Sequence, residues 1–118
     1  MYCASSLSLA TLEYFVHVDP ADLPDDLVSI RAEIPASVAV ERLSAKALPR
    51  DWRAYPAGFG TKDIGTEWAA SSRTVALLVP SAVTPIEDNV ILNPRHPDMR
   101  RIRVGTPEPF AFDPRMLA

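Results

Sequence analysis

An α+β domain is what this sequence predicts, and three observations carry that reading. Two segments place apolar residues at helical spacing, Leu7 to His17 and Thr61 or Lys62 to Ser71. Several short runs read as strands, among them Thr74–Val79 and Asn89–Leu92. Twelve prolines against four glycines are scattered along the chain, so fixed-φ reversals separate many short elements rather than a few long ones. Mixed short strands with two helices give an α+β domain.

Taken in order, Tyr2 to Ala4 reads as a strand end, and Ser5 or Ser6 caps the helix that follows. On that helix Leu9, Leu12, Phe15 and Val16 share a face expected to be inward. Glu13 lies about 40° from Leu9 on the same wheel, at the rim of the apolar face. A carboxylate there is costly without a partner or a task. Pro20 and Pro24 break the helix, and the acidic stretch Asp19 to Asp26 reads as an exposed loop. Asp26 to Ile34 alternates apolar and polar and predicts one strand, followed beyond Pro35 by a second over Val38 to Leu43.

Ser44 to Gly60 is loop-rich, with Pro49, Pro56 and Gly58, and Trp52 is expected to plug the core from this loop. The helix from Thr61 or Lys62 to Ser71 should turn Ile64, Trp68 and Ala69 inward, with Gly65 weakening it. Thr74 to Val79 is continuously apolar, as expected of a strand buried on both faces, and Pro80 ends it just before Ser81. Asn89 to Leu92 is the next strand, stopped at Asn93-Pro94. Arg101 to Val104 and Phe110 to Phe112 are expected to be the last two.

At 118 residues the chain fits one domain, residues 1–118. Hydrophobic residues make up 47% and charged residues 23%, the balance of a globular protein with a core. A net charge of −3 argues against a nucleic-acid protein with a broad basic face. The basic cluster Arg95, Arg100, Arg101 and Arg103 reads as a solvated strand edge. A single cysteine, Cys3, excludes an intrachain disulfide and is expected to be a buried structural thiol. No basic segment precedes the early apolar run and no apolar run approaches ~18 residues, so neither a signal peptide nor a membrane span is expected. The cytoplasm is the expected compartment.

Candidate chemistry is sparse. Glu13 and His17 share a helix face, but with only His96 elsewhere no metal site is expected. Gly58-Phe59-Gly60 lacks the third glycine of a dinucleotide loop and reads as a turn. Ser81 has no G-x-S-x-G elbow, which leaves a structural turn serine and a positioned hydroxyl as equal readings. Glu87 and Asp88 are adjacent and should point to opposite faces, hence surface charge rather than an acid/base pair. Asn93 and Asp98 are expected to cap a short helix near His96 or Pro97.

The pattern Tyr2-x-Ala4-x-Ser6-x-x-x-Ala10-x-x-Glu13, with Leu48-Pro49-x-Asp51-Trp52, Ile64-Gly65-x-x-Trp68, Val79-Pro80-Ser81, Glu87-x-Asn89-x-x-Leu92-Asn93-Pro94-x-His96-Pro97-Asp98 and Phe110-x-Phe112-Asp113-x-Arg115, resembles the RES-domain family. The resemblance runs from about Tyr2 to Arg115. It implies an ADP-ribosyltransferase-like fold of mixed β-sheets with a few helices. It implies an NAD-degrading toxin of a bacterial toxin–antitoxin pair, with NAD as substrate and no other cofactor, and acceptor water, phosphate or protein. The partner it implies is an Xre-type antitoxin that blocks the site. Glu13 matches the family glutamate, Ser81 the family serine, and Tyr2 an aromatic that precedes the helix. In that reading Glu13 stabilises a cationic ribose carbon, Ser81 donates a hydrogen bond that orients substrate, and Tyr2 stacks on nicotinamide. The family arginine lies upstream of the Tyr2 strand, so the resemblance implies a domain lacking its first strands and that arginine. A homodimer is one way to cover the edge they would leave. The alternative reading is a catalytically dead remnant that only binds an antitoxin.

Overall fold

The computed structural model describes residues 1–54 and 59–117. Its main sheet has four strands in the order β1-β6-β5-β4, formed by β1 (Tyr2–Ala4), β4 (Val40–Arg42), β5 (Ala76–Pro80) and β6 (Asp88–Leu92). β6 pairs antiparallel with both β1 and β5, while β4 joins β5 in parallel. Two helices, α1 (Leu7–Phe15) and α2 (Phe59–Ser71), complete a mixed α+β arrangement, as the sequence predicts.

Strand β5 is one of the two inner strands of the sheet, and Val75, Ala76 and Leu77 are all buried, which is why its run is apolar without alternation. The core gathers Val38, Val75, Ala76, Leu92 and Ile102, with Cys3, Ile34, Val90 and Met99 packed against it. Cys3 is therefore a half-buried core neighbour, and burial pushes its thiol pKa up. Trp68 of α2 is 2% exposed and donates its indole N–H to Thr74 Oγ1 at 3.0 Å. Asn93 Nδ2 ties the same helix to the end of β6 through the Ala69 carbonyl at 3.1 Å. Ile64 is half-buried, and Ala69, expected inward, is exposed. Ser72, just past α2, takes φ 52°, the left-handed turn that commonly ends a helix.

Several expectations need correction. The strand expected over Asp26–Ile34 is two short ones, β2 (Val28–Ser29) and β3 (Ala32–Glu33). They pair with β8 (Glu108–Pro109) and β7 (Arg103–Val104) as successive parts of one antiparallel ribbon. Between the pairs, Gly105, Thr106 and Pro107 face only Ile30 and Arg31, so one extra residue bulges the ribbon. Pro107 has no N–H to continue the ladder. Gly105 donates to the Arg31 carbonyl at 2.7 Å, and a Cβ on it would lie 3.2 Å from that oxygen.

The alternation in this segment does not mark a buried face, since Val28, Ile30 and Val104 are all exposed. Phe110–Phe112 is not a strand. Phe110 adds one bond to the Leu27 carbonyl, and Phe112 then packs on Tyr14, Phe15 and Phe110 with ring centroids 5.3–5.9 Å apart. On α1 only Leu9 is buried; Leu12, and Val16 at the C-cap, are exposed, while Phe15 is half-buried against Phe112. Trp52 is half-buried and outside the core cluster. Pro56 and Gly58 lie outside the described residues, while Phe59 and Gly60, expected in a turn, already belong to α2. Arg100 and Arg101 sit in a 3-10 turn, Pro97–Arg101, which shortens the strand expected there. The ring of His96 caps that turn by accepting from the Asp98 amide at 3.0 Å, in place of Asn93 or Asp98.

Candidate active site

Helix α1 begins where Ser6 Oγ accepts the Leu9 amide at 3.1 Å, the cap expected from the sequence. Its approach is fixed by the Ser5 amide, which donates to the Asp88 carbonyl on β6. This start carries Glu13, two turns on, across the sheet face that bears Tyr2 and Asn89. Tyr2 lies opposite Ile91 and Ala4 opposite Asn89, so Tyr2 and Asn89 are diagonal neighbours on one face of the β1–β6 pair.

Ser81 follows Pro80 at the start of the β5–β6 connection, whose neck is closed by the Ser81 amide on the Glu87 carbonyl at 2.8 Å. The loop folds back on the serine: the amides of Val83 and Thr84 both donate to Ser81 Oγ at 3.1 Å. Arg53 Nε adds a tie from outside, to the Ala82 carbonyl at 2.9 Å. Ser81 is fully buried.

These elements meet at one carboxylate oxygen. Ser81 Oγ donates to Glu13 Oε1 at 2.6 Å, and Asn89 Nδ2 donates to the same oxygen at 2.7 Å. Asn89 Nδ2 also donates to the Tyr2 hydroxyl at 3.0 Å. Neither Ser81 nor Asn89 occupies Glu13 Oε2. Glu13 is half-buried, Tyr2 leaves 64% of its surface open, and the serine and asparagine beneath them are closed to solvent. The face turned outward therefore presents the glutamate and the phenol. Partial burial pushes the Tyr2 pKa up; the hydrogen bond from Asn89 works against that rise and the negative charge of Glu13 adds to it.

The structure thus brings together Tyr2, Glu13 and Ser81, residues some 70–80 positions apart in part, and adds Asn89, to which the sequence reading gave no role. One expected role does not fit the geometry. Ser81 was expected to donate to substrate, but its single proton goes to Glu13 and its oxygen accepts two amides. His17 does not meet the Glu13 carboxylate through the bond its Nδ1 makes, which goes to the Glu13 backbone oxygen at 2.8 Å. Glu87 is exposed, as expected of surface charge, whereas Asp88 on the inner strand β6 is half-buried and pairs with the exposed Arg42 of β4. Among the described residues no group of His, Cys, Asp and Glu could hold a metal ion. No helix there is long and apolar enough to cross a membrane. A groove of about 390 Å³ between Asp25–Val28 and Pro109–Ala111 includes none of the four site residues; its walls carry no comparable polar network.

The RES domain profile matches residues 1–113. The Prs ADP-ribosylating toxin of Sphingobium sp. (strain YBL2) is 40% identical over 99% of this chain and 74% of its own length. A Toxin Res of Yersinia enterocolitica is 41% identical over 98% of this chain and 76% of its own. A Toxin Res of Pseudomonas putida is 34% identical over 99% and 79%. With the profile spanning nearly all of its residues, and with relatives at this identity along its whole length, the chain belongs to the RES-domain family.

Proposed function

We propose that this protein is a toxin that consumes NAD by breaking the bond between nicotinamide and ribose, and that a cognate antitoxin of the Xre type restrains it by covering the site. The observation that carries the reading is the Glu13 carboxylate, pinned at Oε1 by Ser81 and Asn89 beside an open phenol. The names of the relatives support a toxin role, and ADP-ribosylation, named in one of them, draws ADP-ribose from NAD by that same cleavage.

The chemistry follows from charge. As the C1′–N bond breaks, its electron pair goes to the pyridinium nitrogen and neutral nicotinamide leaves. Positive charge grows on C1′ and the ring oxygen of the ribose. A fixed carboxylate beside that carbon is attracted more strongly to the transition state than to the ground state, which is the condition for acceleration. Glu13 offers Oε2 for this, and a ribose hydroxyl can donate to it as well. Water, phosphate or a protein side chain then adds its oxygen to C1′ and loses a proton. Ser81 acts here as a positioning residue that holds Glu13, not as a donor to substrate. Tyr2 supplies an open aromatic face and a phenol beside the leaving group.

The test is direct. Purified protein is incubated with NAD, and NAD loss and free nicotinamide are followed by chromatography. Release of one nicotinamide per NAD lost, slowed roughly 30- to 1,000-fold by Glu13→Gln, is expected. Intact NAD in the presence of folded wild-type protein, with or without phosphate and a cell extract as acceptor source, overturns the reading.

A further inference from the structure

Asn89 is 1% exposed on β6 and carries no charge, and the mechanism above gives it no contact with substrate. Its amide nitrogen has two protons. One reaches Glu13 Oε1 at 2.7 Å and the other the Tyr2 hydroxyl at 3.0 Å. Chemistry fixes which way the amide faces: turned over, Oδ1 would oppose a carboxylate oxygen, acceptor against acceptor. As it stands, Oδ1 is buried without a hydrogen-bond partner. An unmet buried oxygen is costly, so the side chain sits where its donors are needed rather than where its acceptor is satisfied.

We propose that Asn89 is the positioning residue of this site, using both amide protons to hold the Glu13 carboxylate and the Tyr2 phenol at a fixed separation and to leave the phenol's own proton directed at the bound nucleotide. This rests on the NAD reading. Because the Tyr2 oxygen accepts from Asn89, its O–H is left as a donor, and among the described residues it has no acceptor. Without Asn89 the phenol could donate to Glu13 instead, damping the charge that the reaction uses. Asn89 thus acts through its two neighbours and touches no reacting atom.

Two variants test this, Asn89→Ser and Asn89→Asp, in the full chain and beside the wild type. Asn89→Ser leaves room for a water and is expected to lower kcat roughly ten- to a hundredfold with KM within about twofold, the mark of lost placement rather than lost binding. Asn89→Asp sets a second carboxyl against Glu13. Its activity is expected to be lost near neutral pH and partly regained in acid, where the pair shares one proton. His17 on α1 and Asp88 with its Arg42 partner are present in both proteins, so a displaced pH profile belongs to the new carboxyl pair.

A readout independent of turnover is the Tyr2 phenol titration, followed by ultraviolet absorbance or NMR and assigned with Tyr2→Phe. Removal of the donated bond should move that titration to higher pH in both folded variants. Wild-type kcat in Asn89→Ser, a raised KM at unchanged kcat, or an unmoved Tyr2 titration overturns the proposal. Should the wild type leave NAD intact, the substrate reading falls by itself, and the phenol titration still decides whether Asn89 holds Tyr2.

Discussion

Glu13→Gln separates charge from shape at the centre of the site. The amide is nearly isosteric, and its Oε1 can still accept from Ser81 Oγ and Asn89 Nδ2, the two bonds that fix the side chain. In the proposed reaction, what is lost is one negative charge beside a carbon that becomes cationic. At about 4 Å and an effective dielectric of about 20, that attraction is roughly 4 kcal/mol. Glu13 is half-buried rather than enclosed, and screening from its open side brings the figure toward about 2 kcal/mol. The expected loss in kcat is therefore roughly 30- to 1,000-fold, with a smaller change in KM, because the interaction strengthens only as charge develops. Both bonds change from charge-assisted to neutral, so stability should fall by about 1–2 kcal/mol and the fold should survive. The assay is nicotinamide release under saturating NAD, with a thermal melt on the same samples. A Glu13→Gln protein that melts cooperatively and turns over at the wild-type rate refutes the electrostatic argument. A protein that no longer folds would instead show that the carboxylate's main role is structural.

Three further outcomes follow from the same contacts. Ser81→Ala removes a charge-assisted bond and leaves the Val83 and Thr84 amides without their acceptor, so a loss of about 3 kcal/mol and a Tm drop of roughly 10 °C are expected in urea and thermal unfolding; a loss under about 0.5 kcal/mol contradicts the contact set. Trp68→Ala empties a site that is 2% exposed beside Thr74 and should cost about 3–5 kcal/mol, read as a lower urea midpoint at unchanged slope. The raised Tyr2 pKa means that the folded state holds the phenol proton more tightly than the unfolded chain does, so stability is intact below about pH 10 and declines as pH rises from there through the folded pKa. Urea midpoints between pH 9 and 11.5 should fall less steeply in Tyr2→Phe than in its parent, both carrying Cys3→Ser so that the thiol's own raised pKa does not contribute.

Where an element's own chemistry is sufficient to form it, the sequence announces it. Ser6 is a capping hydroxyl ahead of a helix-forming run, and it caps α1. The unbroken apolar stretch before Pro80 reads as a covered strand, and β5 is that strand, with Ala76 and Leu77 buried. Elements that depend on a distant partner are not legible in the local sequence. The alternation from Asp26 to Ile34 is genuine, but whether it forms one strand depends on what lies opposite, and Gly105-Thr106-Pro107 opposes it with one residue too many. Likewise the apolar wheel of α1 says which residues share a face, not which part of that face finds a cover. Leu9 meets the sheet, Phe15 turns to Phe112 nearly a hundred residues away, and Leu12 stays in water.

The site divides along the same line. A carboxylate on an apolar helix is anomalous in isolation, so Glu13 is visible at once. Ser81 is half-visible, because a serine after a strand-ending proline has an equally good structural reading. Asn89 gives no such signal: one neutral amide opening an apolar strand is ordinary until its register against Ala4 and its reach to Tyr2 are known. The structure also changes what the visible residues can do. A hydroxyl with its proton on Glu13 and its oxygen under two amides has no capacity left for a ligand. Ser81 and Asn89 are then the buried half of the cluster, and Glu13 and Tyr2 the half that can meet a substrate. Two neutral donors converging on one carboxylate oxygen hold the charge in place without neutralising it. That is the property a group needs if it is to face a carbon whose positive charge exists only during reaction.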